Sequence, residues 1–200
     1  MSRQRWGDNS RISDQASGRH LILLAAKHCF AEASVESTSI DQVAQQAGVS
    51  RRTVYRYFAN KPALILAVVE DQAEAFFTEM HASARAMGST DFPSRLKHCV
   101  LYAIDRGPQV NDFQLVLGKK NAASTAEFYL SSERLKQHWY ELLEQPFIEA
   151  QQMGQVDANL NFDDLVIWMG RIALSFIQFP EDIVLVERLL DQYLFRGLTV

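Results

Sequence analysis

The sequence predicts an all-α protein with a small N-terminal head on a larger helical body. Apolar residues recur at three- and four-residue spacing in segment after segment, and no stretch sustains the alternation of a strand. Residues 38–64 (TSIDQVAQQAGVSRRTVYRYFANKPAL) spell two short helices around a tight turn, then a third helix start. At 200 residues, 48% hydrophobic and 22% charged, the chain has the make-up of a globular protein with a sizeable core.

Residues 1–16 are polar, with Arg3, Arg5 and Arg11, and read as a mobile basic arm. The first helix is expected over 17–33, on a stripe of Ile22, Ala26, Cys29 and Phe30. Thr38 or Ser39 caps the second helix, in which Ile40, Val43, Ala44 and Ala47 share one face. Gly48 follows where a helix ends in a left-handed residue. Ser50 is the next N-cap, with Val49 and Val54 set as a hydrophobic staple around it. The third helix, 51–58, keeps Val54 and Phe58 apolar and exposes Arg51, Arg52, Thr53, Tyr55, Arg56 and Tyr57. Asn60 caps a fourth helix with Lys61 and Pro62 at its start, where proline is tolerated. That helix continues toward Met87, a rod of roughly 40 Å.

After the break at Gly88, helices are expected over 92–105 and 109–118, separated by Gly107 and Pro108. A long helix follows over 131–153, with Pro146 expected to kink or interrupt it. Two last helices, 162–178 and 181–195, are divided by Pro180. The domain reading is an arm (1–16), a helix-turn-helix head (17–61) and a body (62–200).

A short helix with a basic, hydroxyl-bearing, aromatic outer face, held at a turn by another helix, is a DNA reader. The run Ala47-Gly48-Val49-Ser50, then Thr53-Val54-Tyr55, then Tyr57-Phe58 and Lys61, closely resembles the DNA-binding signature of the TetR/AcrR-type bacterial transcription regulators. The resemblance is strong over residues 17–66. Two positions depart from it. Arg52 stands where many members carry a small residue, and Tyr57 where many carry His.

The candidate DNA-contacting residues follow. Amides at the helix start by Ser50 attract phosphate. Arg51, Arg52 and Arg56 can neutralise phosphates or pair with guanine edges, and Thr53, Tyr55 and Tyr57 add hydroxyls and apolar atoms. Lys61 is placed for a backbone phosphate, and the resemblance implies the same for Thr38 or Ser39. Charge supports one electrostatic end. The whole chain carries −4, but residues 1–61 hold nine Lys and Arg against five Asp and Glu, a net +4.

The resemblance also implies that the body senses a small molecule and pairs with a second copy. The helix over 162–178 is apolar on two faces, so both must be covered. Leu165, Trp168, Met169, Ile172 and Phe176 form one face; Val166, Gly170, Leu174 and Ile177 form the other. That second face, with Ile183, Val186, Leu190, Tyr193 and Leu194 of the last helix, is the candidate dimer interface. The alternative is a central helix within one subunit's core. Candidate walls of an apolar effector pocket are the aromatic residues Phe113, Phe128, Tyr129, His138, Trp139, Tyr140, Phe147, Trp168 and Phe176. For each one taken singly, plain core is the alternative.

Enzyme motifs are missing: no G-x-S-x-G, P-loop, H-E-x-x-H or dinucleotide glycine pattern is present. No metal site and no cofactor are expected. Cys29 and Cys99 read as separate buried thiols rather than a disulfide, in keeping with a reducing cytoplasm. No apolar leader or membrane span is expected. The expectation is a cytoplasmic, homodimeric repressor that binds operator DNA and is released by a small apolar effector. Its rivals are an activator or dual regulator of the same fold, and an α-helical small-molecule or enzyme module that no longer reads DNA.

Overall fold

The computed structural model describes residues 11–88, 91–109 and 130–198, and every regular element among them is helical. The elements are α1 (Arg11–Glu32), α2 (Ile40–Gln46), α3 (Arg51–Tyr57), α4 (Lys61–Ala86), α5 (Phe92–Arg106), α6 (Glu133–Gln152), α7 (Phe162–Gln178) and α8 (Ile183–Leu189). The helix expected over 109–118 falls almost wholly outside the described residues. Two compact units result, Met1–Val68 and Val69–Val200. Their boundary lies inside α4, seven residues beyond the expected end of the head.

In the first unit the local chemistry is the expected one. Ser39 caps α2 in a full capping box with Gln42. The α2 exit is a Schellman pair: Gly48 N–H reaches Gln45 O at 3.1 Å and Val49 N–H reaches Ala44 O at 3.0 Å. Gly48 sits at φ +65°, where a side chain is strained. Ile22, Leu23, Ala26, Phe30, Val43 and Val54 form the buried centre. One expectation is corrected here. The described part of α1 starts at Arg11, whereas the helix was expected from about residue 17. Polar helical turns carry no apolar period, so the sequence did not announce them.

In the second unit α5 packs on α6 and α7. Phe92, Phe147 and Phe162 form an aromatic cluster, with ring centroids 5.2 and 5.1 Å from Phe147. Ser132 is buried, caps α6 and donates to Glu70 Oε1 at 2.7 Å. α6 runs through Pro146 without interruption. The last helix is shorter than expected as an α-helix, because it passes into a π turn over Leu190–Leu194 and a 3-10 turn over Phe195–Gly197. Both cysteines are free. Burial pushes the Cys99 thiol up to about 12, which makes it a poor nucleophile.

α7 overturns the expected division of its faces. Val166 and Leu174 are buried within the unit, and Gly170 and Ile177 line its interior beside Ala103 and Phe76. Val186 of α8 and Leu190 and Leu194 of the π turn are buried in the same way. Val166, Leu174, Val186, Leu190 and Leu194 are therefore core rather than free interface, and Gly170 and Ile177 are half-buried. The reason is packing: this stripe faces α5, where Ala173 and Ala103 line one small internal space. The outward side carries Ile167 and Trp168, the latter 47% exposed, although Trp168 was expected inside a pocket. Ile183 and Tyr193 do remain exposed.

Candidate nucleic-acid interface and ligand cleft

α3 is seven residues long, too short to persist alone, and is anchored by Val54, which is fully buried. Its N-cap is Ser50, whose Oγ accepts the Thr53 N–H at 3.1 Å and bonds the Thr53 hydroxyl at 2.9 Å. What remains outward is Arg51, Arg52, Tyr55 and Arg56. No acidic residue lies in this helix, so the face is uniformly cationic.

The four are not equivalent. Arg51 Nη1 pairs with Asp41 Oδ2 of α2 at 2.8 Å, and Nη2 donates to Tyr55 Oη at 3.3 Å. Its guanidinium also lies over the Tyr55 ring at 5.4 Å. Arg51 thus braces α2, α3 and Tyr55 together. Arg52 has no such tether among the described residues. Arg56 stacks on Tyr57 at 5.0 Å. Tyr57 leans toward α1: a Cβ on Gly18 would sit 2.5 Å from its hydroxyl, so the ring occupies space that only glycine leaves there. Lys61 Nζ donates to Glu36 O at 3.0 Å, which holds the ammonium by the loop before α2.

Thr38 and Ser39 part company. Ser39 is exposed, with its hydroxyl and N–H engaged by Gln42. Thr38 is 2% exposed, and its hydroxyl donates to Ser34 O at 2.6 Å and Cys29 O at 3.3 Å. Thr38 therefore has no hydroxyl to offer a phosphate. It ties the loop to α1 instead, which corrects the expectation.

The second unit holds a half-open cleft of about 150 Å³ between α6 and α7. Leu130, Leu135, Trp139, Val166, Ile167 and Gly170 give it apolar walls, and Lys136 and Arg171 give it charge. Lys136 is paired with Glu133 at 2.6 Å, whereas Arg171 forms no ion pair among the described residues. A tighter space of about 10 Å³ lies alongside, and Trp139 and Gly170 line both.

Of the aromatic residues expected to line a pocket, Trp139 lines this cleft. Phe113, Phe128 and Tyr129 lie outside the described residues. Phe147 is core. The Tyr140 hydroxyl donates to Asp163 Oδ1 at 2.5 Å, and that carboxylate pushes its pKa up to about 12. His138 stacks on Phe77 with centroids 4.5 Å apart. Trp168 faces outward, and the half-buried Phe176 is not among the lining residues. Lys136 and Arg171 escaped sequence reasoning. The one available signal was Arg171, a lone charge within the apolar run VIWMGRIALSFIQF.

Residues 22–68 match the model of the bacterial regulatory proteins of the tetR family. The head thus carries a DNA-binding domain of that family's type. Among curated relatives, the HTH-type transcriptional activator FasR of Mycolicibacterium smegmatis is 29% identical over 82 residues. That match covers 41% of this chain and spans 36% of the relative's length. Among solved structures, the regulator FadR of Bacillus subtilis, in complex with stearoyl-CoA, superposes with a TM-score of 0.61 at 17% identity, over 90% of this chain and 98% of that one. NalD of Pseudomonas aeruginosa, the secondary repressor of a multidrug efflux pump, gives 0.53 at 23% identity, over 94% and 98%. The chain thus has a TetR-type DNA-binding N-terminal domain, and its described residues share the fold of these solved regulators. Its relatives are regulators rather than enzymes. No helix among the described residues is long and apolar enough to cross a membrane.

The burial of Thr38 yields a sharp expectation. Thr38→Val should lower stability by about 1 kcal/mol, the worth of one buried hydrogen bond, and leave DNA affinity of the folded protein unchanged. Chemical denaturation alongside a binding titration checks both halves.

Proposed function

We propose that the protein is a homodimeric repressor that reads a near-palindromic operator with α3 and leaves it when an anionic, apolar effector enters the α6–α7 cleft. The observation that carries the reading is the acid-free outer face of α3, with Arg51 and Tyr55 braced by Asp41. Arg52, untethered, is the base-reading candidate, and Arg51, Thr53, Arg56, Tyr57, Lys61 and the Ser39–Ser50 caps position the helix and meet phosphates. Replacing Arg52 by Ala should cost about 1–3 kcal/mol on the operator and relax preference at one base pair. Lys61→Ala should weaken all DNA uniformly and reduce the salt slope by about one. Gel shifts over a salt series with DNA flanking the protein's own gene measure both. Full operator affinity in the combined variant would end the DNA reading.

For the dimer, the support is the exposed apolar row of Ile167, Trp168, Phe179, Ile183, Val184 and Tyr193, with Phe179 and Tyr193 each 72% exposed. Two such faces joined about a two-fold axis set the recognition helices one DNA turn apart, roughly 34–36 Å. Trp168→Glu should give a monomer in sedimentation and lose operator binding. A wild-type chain that stays monomeric would exclude the arrangement.

For the effector, the support is a cleft with apolar walls, bordered by a guanidinium that forms no ion pair among the described residues. A fatty acid or its coenzyme A ester fits that chemistry, and the FadR relative is a stearoyl-CoA complex. The described space is small for such a chain, so Trp139 would have to swing to join the two adjoining spaces. A coupling of about 1–3 kcal/mol would lower operator affinity roughly 5- to 150-fold. Arg171→Gln should weaken an acyl carboxylate or acyl-CoA by about tenfold or more, as for a lost charge-assisted hydrogen bond. Calorimetry on wild type and variant tests this, and equal affinities would refute the role of Arg171. The activator reading is favoured by one relative, FasR, and a reporter with and without the gene separates the two signs of control.

A further inference from the structure

The sequence predicts no metal site, yet α4 and α6 bring together a set of metal-ligating side chains. His81 lies on α4. His138 and Glu141 lie three apart on α6 and so share a face. One ligand atom from each of the three falls within 4.8 Å of the others. His81 Nε2 is buried with no hydrogen-bond partner among the described residues. A buried imidazole nitrogen in that condition calls for an occupant.

The surroundings hold the ligands in place. Phe77 stacks flat on His138 with an interplanar angle of 8°, which fixes the plane of that ring. The His81 and His138 rings meet edge to face at 5.5 Å. Glu74 Oε2 lies 3.7 Å from His138 Nε2, beyond hydrogen-bond reach, and is itself held by Arg134 at 2.7 Å. Glu141 is exposed, so the site opens to solvent on one side.

We infer that His81, His138 and Glu141 form a binding site for a borderline divalent transition metal of the zinc class, bracing α4 against α6. Two imidazoles and one carboxylate suit Zn²⁺, Co²⁺ or Ni²⁺ rather than Mg²⁺ or Ca²⁺, which prefer all-oxygen shells. Three protein ligands leave a fourth position for water. Bonds of about 2.1 Å place tetrahedral ligand atoms about 3.4 Å apart, so the side chains must close by roughly an ångström on binding. Arg85, one turn along α4, opposes a cation there, and Glu141 and Glu74 offset it.

The site is independent of the effector and operator readings, and its test needs neither. Full-length protein, freed of metal with a chelator, is titrated with Co²⁺ while the visible d–d absorption is followed, and Zn²⁺ is then added to displace it. One Co²⁺ per chain should bind, with the intensity of a four-coordinate centre, and Mg²⁺ should not compete. His81→Asn and His138→Asn should each abolish the spectrum. Glu141→Gln, at an exposed position that folding does not need, should weaken binding roughly tenfold or more. His28→Asn, at an exposed histidine of α1, should change nothing. Circular dichroism confirms that each variant is folded. Absence of Co²⁺ binding to the wild type, or binding that survives both His81→Asn and Glu141→Gln, would overturn the site.

Discussion

The head depends on the burial of Val54. A seven-residue helix forms two turns and cannot hold itself, so α3 persists only because Val54 is fully buried and the helix packs on α2. A side chain that size contributes about 1.5–3 kcal/mol when fully buried. With one residue inward, the rotation of α3 is set, and the arginines at 51, 52 and 56 have no direction left but out. Ser50 and Gly48 contribute differently. They end α2 and begin α3 in a few residues, so the turn is tight enough for Asp41 to reach Arg51 at 2.8 Å. That exposed ion pair adds little stability by itself. Its consequence is positional, since it presents Tyr55 and the arginine as one unit.

The body is organised by the absence of bulk. α7 packs on α5, which buries Val166 and Leu174, and Ala173 faces Ala103 of α5 across a small internal space. Gly170 leaves room beside Leu130 and Trp139, and that room is the cleft. Arg171 follows Gly170 directly and so arrives at the cleft edge.

Two polar contacts of the body differ in how their partners are met. Tyr140 and Asp163 satisfy each other at 2.5 Å, and the phenol stays protonated as a result. His81 and His138 meet across α4 and α6 with a nitrogen left over. A satisfied pair only links helices, whereas an unsatisfied donor set retains a capacity to bind.

The sequence by itself determined the helix-turn-helix. Ser39, Gly48, Ser50 and Asn60 act through bonds to residues three or four away, and Val54 and Phe58 declare their side by local spacing, so a one-dimensional reading recovers them. It also placed most of the body helices that the structure describes, because their periods and breaks are local too. Tertiary structure alone decided the rest. α7 is apolar all round, so periodicity could not say which stripe met α5, and the expected interface became core while Trp168 turned outward. Thr38 and Ser39 are neighbours with the same chemistry, and only the fold of the 33–39 loop sends one hydroxyl inward to Ser34 and Cys29. His81 and His138 stand 57 residues apart on two helices, and nothing short of packing brings them within ligand distance.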